Sequence, residues 1–560
     1  MAASFRSLTN TLQTPDRVPL VTSITNLLRN LNPQNSESNN IDSTPLNQFS
    51  HHLDSKLVIQ VIKQQTNPFH ALFFFNWASN PNPNNYYHTH LCYVAITHVL
   101  LSHSLFSAAT SLLQQSHKLS DFFVGMFIKA CGDRGDIRAA MSWLDQAKKI
   151  ENGNCLFSYN SILGVLVGKN QMNLAEEIFD HIVKDNMVQP DVSTYTTMIK
   201  GYCKLGMIEN AGKVFDEMSC EPNLVTYNTL INGLSKKGDM ESARLIFNRM
   251  MNTKDCSPDT ITYTTMIDGY CKIGNIEEAK KCLTEMGNGG CKPNVFTYNA
   301  LINGLCMRGC VDDAKLLITK MRFDGLKDNI ATHTSISKGL CVAGKSEQAV
   351  KYLRDMIKSN MTPDVKSYGF IINECCKMGN SDEAISLLKE MQASGIKASV
   401  SSFNAVFRIL VGNGKLDRAV LLLKQMPRMG CLPNFLSYNT VICSLCMAKG
   451  RMRDVEELVN NMTRSGASID ANMYNCLIKG YCEDDNEEMA MRIAYEMINK
   501  KFVVNLDSFS LLIKMLCAKK KVNEAEKIFQ LCSRCTGVDM ESYMRVIDEH
   551  HTSACSRKEP

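Results

Sequence analysis

The side chains of this sequence that are most able to do metal or covalent chemistry are its 23 cysteines. Thiolates in closely spaced pairs bind zinc, and thiols in an oxidising compartment form disulfides. C-x-x-C occurs at Cys532/Cys535 and at Cys443/Cys446, 86 residues apart in the chain, and His181 and His333 are the only histidines between residues 118 and 549. A zinc site at either pair would lack a second pair of ligands nearby in the sequence, and a 560-residue chain that is 44% apolar does not need a disulfide framework. We therefore predict no metal and no cofactor.

The cysteines instead recur at a fixed interval. Cys271, Cys306, Cys341 and Cys376 are each 35 residues apart, and the same interval separates Cys482 from Cys517. Alanine, methionine, glycine and proline columns run in the same phase. A fixed period of this size is typical of a repeat array, in which stacking keeps equivalent side chains in a row rather than converging on one site. The cysteine column is therefore interpreted as packing.

Residues 260–294 show what one repeat is expected to build. Apolar residues spaced as one face of a helix begin the unit, at Tyr263, Met266, Ile267, Tyr270 and Cys271. Gly274 is expected to end this helix, and Asn275 to cap a second one with Glu278 three residues later. Pro293 then ends the unit, because proline disfavours helix at the preceding residue. Each unit is therefore predicted to be a helix–turn–helix.

Neither helix of a unit can bury its apolar stripe alone, so neighbouring units must stack. We predict an all-α solenoid of about 12–14 helix–turn–helix repeats of about 35 residues. The predicted units are 121–155, 156–191, 192–223, 224–259, 260–294, 295–329, 330–364, 365–399, 400–434, 435–470, 471–505 and 506–539. A degenerate unit at 89–120 precedes them, and a partial repeat and tail at 540–560 follow. The unit 192–223 has only 32 residues and is expected to be able to break the stack.

The N-terminal segment differs in composition from the repeats. Residues 1–36 contain Arg6, Arg17 and Arg29 but a single acidic residue, Asp16, which is typical of an organellar transit peptide; a disordered tail is the alternative. The amphipathic pattern from Val21 onward favours the mitochondrion, with the chloroplast as the alternative. Residues 37–88 are predicted to be a linker and a helical lead-in. No apolar run is long enough to suggest a membrane span, and the formal charge of +5 permits a nucleic-acid partner without requiring one.

The repeats resemble those of the pentatricopeptide-repeat (PPR) family. The strings VFTYNALINGLC at 295–306 and TITYTTMIDGYCK at 260–272 are similar to the family's opening motif, and many units end in Pro-Asp or Pro-Asn. The resemblance covers roughly residues 121–545, and HALFFFNWA at 70–78 resembles the lead-in of plant PPR arrays. It implies a right-handed superhelix of the pure-repeat (P) subclass. His550, His551 and Cys555 lack the spacing of a zinc deaminase, so no enzyme activity is expected.

In this family each repeat reads one base of single-stranded RNA through two or three side chains. By resemblance, these are the residue that follows the Tyr of the opening Thr-Tyr (the first polar column) and the last residue of the unit (the second polar column). The pairs are Asn160/Asp191, Thr196/Asn223, Asn228/Asp259, Thr264/Asn294, Asn299/Asn329, Thr334/Asp364, Asn404/Asn434, Asn439/Asp470, Asn475/Asn505 and Ser510/Asp539. Gly369/Ser399 occupies the odd unit, where Gly offers no side chain to a base.

Simpler interpretations exist for these residues. Asn and Asp after proline are ordinary turn and cap residues, but Asn and Thr are mediocre helix formers, and their restriction at the first polar column favours base reading. Lys204, Lys236, Lys272 and Lys377 are expected either to contact phosphates or to interact with the C-terminal end of a helix dipole.

The family pattern also implies a target. Residues just before the opening Thr, such as Val225, Ile261 and Phe296, are expected to wedge between bases, although Lys366, Asn472 and Asp507 interrupt this column. The pairs imply a site close to 5′-UAUACGNCUCG-3′ in an organellar transcript whose stability, splicing or translation the protein controls, with helper proteins as further partners. The alternative function is a protein-interaction scaffold that uses the same groove.

Overall fold

The computed structural model describes residues 18–31, 43–81, 83–150, 154–184, 188–253, 256–503 and 505–536. Helices account for all of the regular secondary structure in these ranges, which confirms the predicted all-α class. The chain divides into two compact units, Met1–Gly269 and Tyr270–Pro560, and the division falls inside the helix Thr260–Ile273.

The first unit begins with a small helical core. A 3₁₀ helix, Thr44–His52, accompanies the α-helices Val18–Leu31, Ser55–Gln64, Pro68–Ala78, His90–Ser102 and Phe106–Gln115. Ile24 and Leu28 of the first helix are fully buried in the same apolar cluster as Leu57 and Val58. The amide of Gln65 also donates to the hydroxyl of Thr25 over 3.1 Å. Residues 18–31, inside the predicted targeting segment, are therefore packed against the lead-in; the rest of that segment lies outside the described residues.

The remainder of both units consists of helix pairs, which we call the first and second helix of a repeat. In the first unit the first helices are Asp121–Asp133, Leu156–Gly168, Val192–Leu205 and Leu224–Lys237, and the second helices are Ile137–Ile150, Met172–Lys184, Ile208–Asp216 and Met240–Met251. In the second unit the first helices are Val295–Met307, Ile330–Val342, Val365–Lys377, Val400–Gly412, Phe435–Cys446, Ala471–Glu483 and Leu506–Ala518. Its second helices are Ile276–Asn288, Val311–Phe323, Ser346–Lys358, Ser381–Ala393, Leu416–Gln425, Met452–Arg464, Glu487–Asn499 and Val522–Thr536.

The helix ends follow from the caps that the sequence supplies. The residue that closes one repeat is the N-cap of the next first helix: Asn329, for example, accepts from the backbone N–H of Thr332 over 3.1 Å. Gly206, Gly238 and Gly274 follow first helices with φ of 76°, 85° and 82°, the left-handed conformation that glycine adopts without a Cβ penalty. Caps such as Asn329 therefore join one repeat to the next, and the glycines turn the chain between the two helices of a repeat.

Adjacent first helices approach closely along the cysteine column. Gly304 faces Cys271 and Gly339 faces Cys306, so closely that a Cβ on Gly339 would lie 2.7 Å from the Cβ of Cys306. Burial raises the pKa of both the Cys306 and the Cys341 thiol to about 12, so both remain protonated at neutral pH. The side chains of Cys532 and Cys535 lie outside the described residues. In the described part of the column, cysteine is a small packing residue.

The 32-residue repeat does not break the stack, although its length had left a break possible. Its first helix has 14 residues, like its neighbour Leu224–Lys237, and the two helices pack against each other. The second helix, Ile208–Asp216, has only 9 residues. The shortening therefore falls on the second helix and the connection after it, which leaves the first helices in register.

None of the helices in the described ranges combines the length and the apolar character that crossing a bilayer requires.

Candidate nucleic-acid interface

The two polar columns meet at the junctions between repeats. In the repeat 156–191, the Asn160 amide donates to Oδ1 of Asp191 over 3.0 Å. Asp191 caps the following helix by accepting from the Thr194 N–H over 2.8 Å, and the Thr194 hydroxyl donates to Oδ1 of Asn160 over 2.6 Å. The predicted pair is therefore one hydrogen-bonded cluster, with the first side chain on one repeat and its partner at the start of the next.

The same cluster recurs at Asn228, with electrostatic consequences for its partner. The Asn228 amide donates to Asp259 over 3.3 Å, and the Thr262 hydroxyl donates to Asn228 Oδ1 over 2.6 Å. Burial alone would raise the pKa of Asp259, but hydrogen bonds from the Thr262 N–H, the Thr262 hydroxyl and the Asn228 amide outweigh it and hold the pKa below its ordinary value. Asp259 is therefore an ionised acceptor at neutral pH.

Two repeats of the second unit contain the Asn/Asn version. The amides of Asn299 and Asn404 donate to Oδ1 of Asn329 and Asn434 over 3.3 and 3.5 Å. Thr332 donates its hydroxyl to Asn299 Oδ1 over 2.6 Å, and Ser437 donates to Asn404 Oδ1 over 2.7 Å. Asn299 is half-buried, whereas Asn404 is only 7% exposed. The arrangement does not depend on whether the partner is Asp or Asn.

Threonine at the first polar column also contacts the start of the next repeat. The hydroxyl of Thr196 lies 2.7 Å from that of Thr226, the residue that Asn223 caps. The hydroxyl of Thr334 lies 3.2 Å from Asp364 Oδ1 and 2.8 Å from the Ser367 hydroxyl.

The next predicted pair, Thr264 and Asn294, falls on either side of the division between the two compact units. Within the second unit, Asn294 caps Val295–Met307 by accepting from the Thr297 N–H over 3.0 Å.

The clustering fades toward the end of the described chain. At Asn439 the contact to Oδ1 comes from the thiol of Cys443 over 3.1 Å, while Asp470 caps the next helix through the Met473 N–H. The Asn475 amide donates to the carbonyl of Ala471, and its buried Oδ1 has no hydrogen-bond partner among the described residues.

The last pairs are the least tied to each other. Asn505 caps its helix through the Asp507 N–H. Ser510 is half-buried, and Asp539 lies outside the described residues. In the odd unit, Ser399 caps its helix through the Ser402 N–H over 3.2 Å, and Gly369 has no side chain.

Exposed apolar side chains stand next to several of these pairs. Val225, Ile261 and Phe296 are 60%, 64% and 76% exposed, and Leu436 at the equivalent position is 53% exposed. Each is the second residue of a first helix, and the helix core does not bury it. Their role as wedges between bases stays a prediction.

The four predicted phosphate-contacting lysines are all exposed, and Lys204 and Lys377 contact neighbouring residues. Lys204 donates to the carbonyl of Gly168 over 3.1 Å, as expected for a cation near the end of a helix, and Lys377 forms an ion pair with Glu374 at 3.2 Å. Lys236 and Lys272 lie at the equivalent place in their own helices.

Sequence reasoning missed two features of this surface. A cavity of about 630 Å³ in the second unit is lined by Lys338, Lys377 and Arg408 together with Glu374 and Phe370, and Lys338 lies over the Phe370 ring. The hydroxyl that contacts the first polar column was also missed, although its signal is in the sequence: a Thr or Ser three residues after the last residue of many units. No group of His, Cys, Asp and Glu suited to hold a metal ion occurs in the described ranges.

Comparison with known proteins places these features in a family. Models described as PPR repeat family and PPR repeat match residues 157–187, 186–219, 222–272, 258–307, 293–342, 338–377, 365–411, 398–447, 436–483, 473–502 and 507–535. These matches cover well over half of the chain.

Curated relatives and a solved structure agree with the family models. A pentatricopeptide repeat-containing protein of Arabidopsis thaliana is 25% identical over 171 residues, which is 30% of this chain and 26% of the relative. The Arabidopsis small ribosomal subunit protein mS79 is 27% identical over 117 residues, 20% of this chain and 30% of that protein. The matched segments thus span less than a third of these relatives.

The crystal structure of the maize pentatricopeptide repeat protein PPR10 matches 91% of this chain and 77% of its own, with a TM-score of 0.57 at 19% identity, which is a likeness of fold. The helix pairs, their recurring caps and the series of matched repeats lead to one conclusion: this chain belongs to the pentatricopeptide-repeat family.

Proposed function

We propose that this protein binds single-stranded RNA with sequence selectivity, one base per repeat, through the paired polar columns. One observation carries the proposal: the second polar column caps a helix, and this use determines what the residue can still offer to a base. When Oδ1 of an Asn accepts from the helix N–H, as in Asn329, the Nδ2 group is still available to donate to a base. An Asp in the same place, such as Asp259, offers acceptors only.

The choice between a donor and an acceptor at the second polar column matches a difference among the bases at the central ring nitrogen of the Watson–Crick edge. On the Watson–Crick edge, uracil presents an N3–H donor and cytosine an N3 acceptor, so Asp favours U and Asn favours C. The Asn of the first polar column keeps a second Nδ2 hydrogen, which suits the O2 acceptor that both pyrimidines share. The pairs Asn228/Asp259 and Asn299/Asn329 are therefore assigned to U and C.

The same reasoning extends to the threonine repeats. Guanine presents an N1–H donor and adenine an N1 acceptor, so Asp364 with Thr334 is assigned to G and Asn223 with Thr196 to A. Threonine is shorter than asparagine, which leaves more space for a purine. The unbroken first helices at 192–223 support reading the repeats 156–259 as successive letters, U-A-U.

A protein-interaction scaffold remains the second candidate function. The cation-lined cavity at Lys338, Lys377 and Arg408 would suit an acidic peptide as well as a phosphate. The regular alternation of short amide, hydroxyl and carboxylate groups favours RNA, because a protein partner would not require one small polar pair per repeat.

The test is selection of bound RNAs from a random pool, followed by a single swap. In Asn329→Asp the cap is retained, since Asp is as good an N-cap as Asn, while the group offered to the base changes from donor to acceptor. Preference at the base facing Asn299 should move from C to U by on the order of 1 kcal/mol, about fivefold in affinity.

The swap has two controls. The preference at the neighbouring base should not change, and duplex RNA should bind far more weakly than single-stranded RNA because its base edges are paired. Retention of the C preference by the variant would contradict the pair assignment. Equal binding of single-stranded and duplex RNA would contradict base reading altogether.

We further propose that the RNA is an organellar transcript, in the mitochondrion rather than the chloroplast, whose stability, splicing or translation depends on the bound protein. The support is the composition of residues 1–36, in which three arginines accompany one acidic residue.

A further inference from the structure

We propose that where the first polar column holds Asn160, Asn228, Asn299 or Asn404, base reading depends on a third residue that does not itself touch the base: the hydroxyl at the third position of the next first helix, which orients the Asn amide. This inference rests on the proposed function and assigns positioning residues to it: Thr194, Thr262, Thr332 and Ser437. Each hydroxyl residue is buried, with its side chain withdrawn from the surface that a base could reach. It therefore acts on RNA only through the amide that it contacts.

The contact is repeated and short. The hydroxyls donate to Oδ1 of Asn160, Asn228, Asn299 and Asn404 over 2.6, 2.6, 2.6 and 2.7 Å. A hydroxyl has a single proton, and at Thr332 the competing acceptor, Asn329 Oδ1, lies farther away at 3.1 Å. At Thr332 the proton is therefore directed to the nearer acceptor, the amide oxygen of Asn299. The Thr194 and Thr262 hydroxyls share their protons with the carboxylates of Asp191 and Asp259, at 2.8 and 2.9 Å.

The hydrogen bond from Thr332 determines which way the Asn299 amide faces. An Asn side chain can present either its oxygen or its nitrogen after a 180° rotation, and the hydrogen-bond network decides between the two. In Asn299 the rotated amide would place Oδ1 against Oδ1 of Asn329, at the 3.3 Å now spanned by the Nδ2 hydrogen bond. It would also remove the acceptor of the Thr332 hydroxyl. The hydroxyl thus holds the Nδ2 donor toward the base.

One repeat lacks the hydroxyl and serves as a natural comparison. Met473 occupies the third helix position after Asp470, and its thioether has no proton to donate. Asn439 there receives the weaker Cys443 thiol over 3.1 Å instead. We infer that the base facing Asn439 is discriminated less sharply than those facing Asn228 or Asn299.

The experiment uses the full-length protein and four RNAs that differ only at the base facing Asn299. Thr332→Val is nearly isosteric and keeps the backbone cap, while it removes the hydroxyl. The preference for C over the other bases should shrink by roughly fivefold, the usual effect of one hydrogen bond. Thr332→Ser should restore it, since Ser437 performs the same role at Asn404. The preference at the base facing Thr334 is the internal control and should not change.

The reverse variant is Met473→Thr, which should sharpen the preference at the base facing Asn439. If Thr332→Val weakens binding of all four RNAs equally and leaves their ratios unchanged, the hydroxyl is structural only and the proposal is wrong. If the unmodified protein already shows no preference at the base facing Asn299, the proposed function fails first, and the two failures are distinguishable.

Discussion

At the scale of single residues, the second polar column has two roles at once. Asp259 and Asn329 hold the first turn of the next helix and also stand where a base would be read. The sequence alone indicated both interpretations, cap and base contact, as alternatives. Both residues form the cap in the structure. The side-chain atoms that the cap does not use are the ones available to contact a base.

The sequence contains the Thr or Ser of the hydroxyl contact but does not indicate which side chain it contacts. Thr332 is separated from Asn299 by 33 residues, and its capping spacing from Asn329 accounts for it without any further role. Only the stacking of two helices brings these side chains together. The thiol contact at Asn439, which comes from four residues away in the same helix, and the unpartnered oxygen of Asn475 were not anticipated either.

A first prediction at this scale concerns the exposed apolar column. Phe296 is 76% exposed, so Phe296→Ala should change the free energy of unfolding by no more than about 0.5 kcal/mol. If the ring stacks on a base, the same substitution should weaken RNA binding by about 1–3 kcal/mol. Filter-binding titrations at fixed salt would measure it.

The matched control for Phe296 is Phe323, a phenylalanine that is 91% exposed at the end of a second helix. Phe323→Ala should leave both stability and RNA affinity unchanged. Equal affinities for the Phe296 variant and the unmodified protein would show that this column does not stack on bases.

At the scale of helices, most of the fold could be read from residue patterns. Gly274 was expected to end a first helix in the left-handed conformation, and its φ is 82°. Asn275 was expected to cap the second helix, and it accepts from the Glu278 N–H. The possibility of a broken stack at the 32-residue repeat came from counting residues without knowing which helix loses them. The second helix and its connection absorb the loss, and the neighbouring first helix Leu224–Lys237 still packs on its full-length partner Val192–Leu205.

The close approach of first helices gives the second prediction. A Cβ at Gly304 would lie 2.4 Å from the sulfur and 2.5 Å from the Cβ of Cys271, too close for two adjacent helices to keep their spacing. Gly304→Ala should therefore lower the free energy of unfolding by about 1–2 kcal/mol, after the gain in helix propensity is subtracted. Urea denaturation followed by circular dichroism would measure the shift.

Gly287 provides the opposite case in the same unit. It lies in the helix Ile276–Asn288 with nothing within 4 Å of an added Cβ. Gly287→Ala should raise stability by about 0.5–1 kcal/mol, because alanine restricts the unfolded chain and favours helix. A shift in the same direction for both variants would refute the packing explanation.

At the scale of the whole molecule, the N-terminal helix differs from the helices of the repeats. The helix Val18–Leu31 buries Val21, Ile24 and Leu28 and leaves Arg29 exposed, so it is amphipathic with a cationic outer face. An amphipathic helix with a cationic face is typical of an organellar targeting segment. The sequence predicted its amphipathic pattern but not its place in the core.

We therefore expect a reporter fused to residues 1–50 to enter mitochondria when expressed in plant cells. Replacing Arg6, Arg17 and Arg29 with Glu should abolish import, because the positive charge drives it. Fluorescence microscopy distinguishes the outcomes: a chloroplast signal would correct the organelle, and diffuse cytosolic fluorescence would contradict organellar targeting.

The shared cap has a consequence for how such a protein changes over evolutionary time. Since Asn and Asp are equally good caps, exchanging one for the other at the second polar column alters the proposed letter while the fold keeps its stability. When the sequence of a target transcript changes, a single exchange of Asn and Asp could therefore restore recognition without altering stability and without a compensating change elsewhere in the protein. The same tolerance would let an engineer rewrite the target at Asn329 or Asn434 one letter at a time, whereas a substitution by a residue that cannot cap would cost stability as well as recognition.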